Sequence, residues 1–162
     1  MELSFSEEVE LGKDGRFEIA VPEAGEYAVG LAGPGTRSGR HTSIHDRVLV
    51  QPGGIRWDLR MAVGGLVVEG LKALPTLAEI VAAPGDPKEG YWAAATLAGG
   101  REWSSELCVG RRGRWEIEHA PSGTIRLGER NGQNYHLSPH EREPAITVTV
   151  KPGEVTRVRW PG

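Results

Sequence analysis

Apolar and polar residues alternate with a period of two through several short stretches of this chain. In Phe17-Glu18-Ile19, and again in Trp115-Glu116-Ile117, the aromatic and the isoleucine fall on one side of an extended backbone and the glutamate on the other. Tyr27, Val29 and Leu31 alternate in the same way. So do Ile125 and Leu127, although Glu129 then breaks the core pattern. Glycine and proline punctuate these runs. Asp14-Gly15 is a hairpin signal, and Pro52-Gly53 and Pro152-Gly153 each separate two alternating stretches. The pattern predicts an all-β chain of short strands joined by tight turns.

The alternating stretches are related to one another. Ser6, Glu8, Gly12, Gly15, Arg16, Glu18, Ile19, Gly25 and Gly30 recur 98 positions later as Ser104, Glu106, Gly110, Gly113, Arg114, Glu116, Ile117, Gly123 and Gly128. Phe5 and Phe17 become Trp103 and Trp115, and Lys13 becomes Arg111. A second block follows each copy: the run from Val48 through Pro52-Gly53 matches the run from Val148 through Pro152-Gly153, now 100 positions apart. Pro22 and Pro121 precede Gly25 and Gly123 with spacings that differ by one, which predicts a β-bulge near His119. These are two diverged copies of one unit.

The order Gly-x-Phe/Trp-x-Ile, Pro, Gly-x-Tyr/Ile-x-Val/Leu, strand, Pro-Gly, strand resembles the carboxypeptidase regulatory-like, or prealbumin-like, β-sandwich. Collagen-adhesin B-type repeats are close in architecture. The resemblance implies tandem prealbumin-like/Ig-like sandwiches of the seven-stranded kind, used as accessory, adhesive or spacer modules without catalysis. It favours a secreted or cell-surface setting.

On this reading residues 1–61 form an incomplete repeat and residues 62–162 a complete one. The second copy has strands expected at 66–70, 91–97, 106–109, 114–119, 124–128, 145–150 and 155–160. Residues 78–83 are a further strand or, over 75–83, a short helix. The first copy has strands expected at 4–11, 16–21, 26–32, 47–51 and 55–61, and lacks a counterpart of residues 66–97. Such a remnant exposes sheet edge and core. Three resolutions are open: the copies pack together, the chain belongs to a longer array, or another subunit donates a strand. Packing between copies or with a partner chain is favoured, including self-association through the exposed edge.

Bulk properties exclude some functions. A formal net charge of −3 with 25% charged residues suits a soluble folded protein and argues against a nucleic-acid binder. No apolar run is long enough to insert in a membrane. Met1-Glu2 opens without the basic and apolar regions of a signal peptide. The single cysteine, Cys108, has no partner for an intramolecular disulfide. Its alternation with Leu107 and Val109 places it on the solvent side, where it is exposed or at an interface.

Candidate chemistry concentrates in two matching segments, His41-x-Ser43-x-His45-Asp46-Arg47 and His136-x-Ser138-x-His140-Glu141-Arg142, which hold four of the five histidines. Two imidazoles beside a carboxylate (His41, His45, Asp46; His136, His140, Glu141) are a reasonable set for zinc or another imidazole-preferring divalent metal. The competing structural reading is a shared loop in which serine ties the turn and the acid–arginine pair is a surface ion pair. Trp103 and Trp115 replace phenylalanines and belong in the core. Trp57 and Trp160 suit core or inter-copy packing. Tyr91 and Trp92 are adjacent on a strand and point to opposite faces, so one of them is a candidate for stacking on a carbohydrate or anchoring a protein partner. Arg111, Arg112 and Arg114 fit a solvated hairpin tip.

The nucleophile elbow, the HExxH zinc motif, the CxxC motif and the P-loop are all missing from the sequence. His136, Ser138 and Glu141 lie too close along one segment to build a nucleophile and base. The expected function is a non-catalytic structural or interaction module. The alternative is a carbohydrate- or metal-binding accessory module. A transthyretin-like hydrolase, with His and Arg converging in an inter-subunit cleft, comes third.

Overall fold

Alternating stretches become strands where a neighbouring strand completes their backbone hydrogen bonds, and the two halves of this chain differ in how often that neighbour exists. The computed structural model describes residues 6–10, 12–14, 16–32, 40–59, 61–85, 87–110 and 112–161; the side chains of residues 32 and 40–42 lie outside that description. The architecture is an all-β sandwich. Among the described residues nine strands run β1 Gly25–Ala32, β2 Arg40–Val50, β3 Val63–Glu69, β4 Gly90–Thr96, β5 Glu102–Leu107, β6 Arg114–Pro121, β7 Gly123–Arg130, β8 Ile146–Val150 and β9 Val155–Arg159. One sheet has the order β1-β2-β5-β4-β7-β8 and the other β6-β3-β9.

Residues 63–159 supply seven of these strands, four in the first sheet and three in the second. Their facing sides form the core. Leu66 and Val68 of β3 and Trp115 and Ile117 of β6 pack against Tyr91, Ala93 and Ala95 of β4, Trp103 and Leu107 of β5, and Ile125 and Leu127 of β7. Full burial of one such aliphatic side chain stabilises by about 1.5–3 kcal/mol. Trp103 and Trp115 are core, as their phenylalanine counterparts predict. Trp160 packs edge-on against Tyr91 at 5.0 Å. The expected bulge is present. Between the pairs Gly64↔Ala120 and Leu66↔Ile117, β3 advances two residues and β6 three, which leaves Glu118 and His119 sharing one place in the ladder.

Between β3 and β4 lies the one short α-helix among the described residues, α1 (Leu77–Ala82), so the helical alternative for residues 75–83 holds. Thr76 decides it. Its hydroxyl accepts from the Glu79 amide and the Glu79 carboxylate accepts from the Thr76 amide, a reciprocal cap that an extended strand could not make.

The first half adds to this sandwich sideways. β2 pairs antiparallel with β5 (Ile44↔Trp103) and β1 pairs with β2. The β1–β2 register runs from Gly25↔Val50 to Val29↔Asp46, and the β7–β8 register from Gly123↔Val150 to Leu127↔Ile146. These are equivalent pairs under the sequence repeat.

Three expected first-copy strands are corrected. Among their described residues, 6–10, 16–21 and 55–59 form no strand. Their side-chain alternation persists all the same: Phe17, Ile19 and Val21 are half-buried while Arg16 and Glu18 are exposed, and Trp57 and Leu59 are half-buried around exposed Asp58. Faces are therefore sorted without a ladder. The physical reason lies in the second copy, where the corresponding strands β6 and β9 are both hydrogen-bonded to β3 between them. Among the described residues no strand lies between segments 16–21 and 55–59 in this way. No helix among the described residues is long and apolar enough to cross a membrane.

Candidate interaction surface

Three features flank the sandwich: a joint between the halves, a cover on the outer face, and the edges of the sheets. The joint is built on Asp46. Its carboxylate accepts hydrogen bonds from Trp57 Nε1 at 2.7 Å and Arg101 Nε at 2.9 Å, and the Arg101 guanidinium sits over the Trp57 ring at 5.0 Å. The Trp57 hydrogen bond, with help from Arg101 and the Arg47 amide, holds the Asp46 carboxyl below its usual range despite its burial. Phe17 packs edge-on to Trp57. Trp57 thus packs between the two halves of the chain.

The outer face of the large sheet is covered where solvent was expected. The β7–β8 connection, including a single 3-10 turn at Pro139–Glu141, lies over β4 and β5. Its anchor is Arg142, whose side chain is only 1% exposed. The guanidinium donates to Glu106 Oε1 at 2.5 Å and to the carbonyls of Asn134, Tyr135 and Leu137 at 3.0, 3.2 and 2.7 Å. Glu106 Oε2 also accepts from Arg130 at 3.0 Å, and Arg130 donates to the Pro87 carbonyl. One carboxylate and a set of backbone carbonyls therefore compensate two largely buried cations.

This cover corrects two expectations. Tyr91 and Trp92 do point to opposite faces, but they are 2% and 0% exposed, so neither offers a ring to a sugar or a partner. Tyr91 lies between the sheets. Trp92 lies under the cover, donating from Nε1 to the Glu129 carbonyl and packing on Gly128, its partner across the ladder. A methyl group on Gly128 would run into the Trp92 indole. Cys108 is buried as well. Its assignment to the outer face agrees with the charges that act on it, Arg130, Glu106 and Arg142, but that face is not open. Burial pushes its thiol above the usual range, the opposite of an activated nucleophile.

The two histidine segments share a sequence pattern but not a structure. Residues 41–47 lie inside β2, so His45 and Asp46 project to opposite faces. The His41 side chain lies outside the described residues. Arg47 pairs with Glu26 at 3.3 Å on the surface. Residues 136–142 form the cover instead. Ser138 Oγ accepts from the His140 amide and Glu141 accepts from the Ser138 amide, so serine and glutamate act as caps. His136 packs edge-on against Tyr135. His140 is mostly buried, its Nε2 without a hydrogen-bond partner and 3.9 Å from Glu102. Desolvation lowers the His140 pKa, opposed by Glu102 and assisted by Arg126 and His45. The described residues contain no group of three His, Cys, Asp or Glu side chains able to hold a metal ion.

Sequence reasoning missed Arg142 because its acid neighbour, Glu141, suggested a local surface pair. The available signal was Glu106 on the same face as Cys108, a charge needing a partner wherever that face is covered.

The four sheet edges are unlike. β6 carries Arg114, Glu116 and Glu118, and β9 carries Arg157 and Arg159. β8, Ile-Thr-Val-Thr-Val, has no charge or proline within it and is bracketed by Pro144 and Pro152, as β1 is by Pro22 and Pro34. Charges and prolines of this kind discourage edge pairing. β1, Gly-Glu-Tyr-Ala-Val-Gly-Leu-Ala, has neither lysine, arginine nor proline, and no strand among the described residues lies beyond it. No protein-family model, curated protein or solved structure matches the chain.

Proposed function

We propose that this protein is a non-catalytic structural and interaction module that joins partners by adding strands at the β1 edge. The observation that carries this reading is the equivalence of the β1–β2 and β7–β8 registers. In the second copy the far side of β7 is occupied by β4. The corresponding side of β1 has no such strand among the described residues. An eight-residue edge whose one charged residue, Glu26, is paired with Arg47 of β2 suits β-augmentation, where main-chain hydrogen bonds supply affinity. The prealbumin-like resemblance of the two copies supports the same reading. It also favours use in adhesion, assembly or spacing at a cell surface.

A peptide with the β4 sequence, Gly90–Thr96, provides the test. Added in excess to dilute protein, it is expected to slow amide hydrogen exchange along β1 and leave β8 unchanged. Unaltered exchange along β1 at saturating peptide would contradict the strand-addition reading.

A further inference from the structure

We infer that the cleft between the cover and Trp160 is a binding site for a neutral carbohydrate. The site is separate from the β1 edge and does not rest on strand addition there. It starts from an anomaly in β7. Ile125 and Leu127 are buried in the core, and alternation calls for a third apolar residue where Glu129 stands exposed. The ladder partner of Glu129 is Tyr91, whose ring packs against Trp160. Glu129 marks the place where the core ends, and it lines a cleft of about 590 Å³. The half-buried Trp160, with Pro144 and Pro161, gives this cleft an apolar surface. Gln133 and Glu143 add polar groups to that of Glu129, and no described residue bonds to their side chains or to the Trp160 indole N–H. The cleft is preformed. The Trp160 amide donates to the Glu69 carbonyl at 2.7 Å. Asn131 Oδ1 accepts from the Gln133 and Asn134 amides, and Arg142 takes the Asn134 carbonyl, so binding has little left to order. The lining selects the ligand class. An apolar molecule would strip water from Glu129 and Glu143 and return no hydrogen bond. An anion would meet those carboxylates and Glu141, while the Arg142 guanidinium is committed to Glu106 and three carbonyls. A cation would answer the carboxylates and leave the Gln133 amide and the indole N–H unmatched. A sugar answers all of them: its C–H face packs on indole and proline, and its hydroxyls donate to the carboxylates and accept from the N–H groups.

An NMR titration of the full chain tests this, with soluble oligosaccharides of starch, β-glucan, xylan, mannan and chitin, and with tetralysine as a cationic probe. At least one oligosaccharide is expected to shift the Trp160 indole signal and the amides of residues 129–134, and to saturate. Trp160→Ala is expected to abolish binding. Because that ring also packs on Tyr91, the exposed pair Gln133→Ala with Glu143→Ala separates binding from folding. The double variant is expected to lose at least about tenfold in affinity with its thermal midpoint unchanged. Three results would overturn the site: no shift with any oligosaccharide, saturation by tetralysine alone, or sugar binding that the double variant leaves intact.

Discussion

β1–β2 and β7–β8 are antiparallel ladders of like register set in two surroundings. Gly25↔Val50 answers to Gly123↔Val150, and the following pairs keep step. β7 has β4 along its far side, the three-stranded sheet across its inner face and the Arg142-anchored cover near its outer face. β1 has only β2. Register, then, is set locally by the turn residues and by alternation, whereas closure needs neighbouring strands that β7 has and that β1 does not have among the described residues. The half-sorted segments 16–21 and 55–59 make the point from the other direction. Alternation without a central strand gives a covering layer and not a sheet.

Equivalent positions in the two copies should respond differently to the same change. The largest contrast is expected at Arg142 and Arg47. Arg142→Met leaves Glu106 short of a partner and three carbonyls unsatisfied under the cover, and should cost about 3–5 kcal/mol. Arg47→Met removes a pair whose side chains are 83% and 63% exposed and should cost at most ~0.5 kcal/mol. Urea unfolding of both variants checks the difference; similar losses would mean that the cover is not anchored as described.

A smaller contrast is expected at the paired glycines. Gly128→Ala drives a methyl into the Trp92 ring and should destabilise by about 1–3 kcal/mol. Gly30→Ala meets the ring of His45, an exposed side chain that can move, at 3.1 Å and the Ile44 carbonyl at an ordinary 3.7 Å, and should cost less than about 1 kcal/mol. Thermal unfolding of the two variants would rank them.

The smallest effect concerns pH. The folded state lowers the His140 pKa from its ordinary 6.5, so the unfolded chain binds more protons once pH drops below that value. Stability from neutral His140 is complete above about 6.5 and is lost as pH falls through the lowered folded value. His140→Gln should flatten this part of the stability–pH curve, and an unchanged slope would assign it to another group. His45 belongs to the same surroundings, since its charge lowers the His140 pKa further.

Much of the second copy was legible in the sequence because its signals are local. The expected strands at 91–97, 114–119, 124–128, 145–150 and 155–160 overlap β4, β6, β7, β8 and β9 closely, and a one-residue change in Pro–Gly spacing located the bulge at Glu118–His119. The cover was not legible. It has no periodicity, and a guanidinium gathering the carbonyls of Asn134, Tyr135 and Leu137 leaves no mark in the residue types it binds. The roles of Tyr91, Trp92 and Cys108 were misjudged for that one reason: alternation tells which face a residue takes, and says nothing of what lies over the face. The matched histidine segments misled in the same way. One pattern became the middle of β2 and the other a capped turn, because residues 40–45 have β5 to pair with and residues 136–142 have Arg142 to wrap around.

The most direct test of the central claim is residue-resolved amide exchange in the monomeric protein at high dilution, comparing β1 with β7. Every second amide of β1, those facing β2, is expected to be protected and the intervening ones to exchange fast, while β7 is protected along both sides. Continuous protection along β1 in that monomer would contradict the open edge.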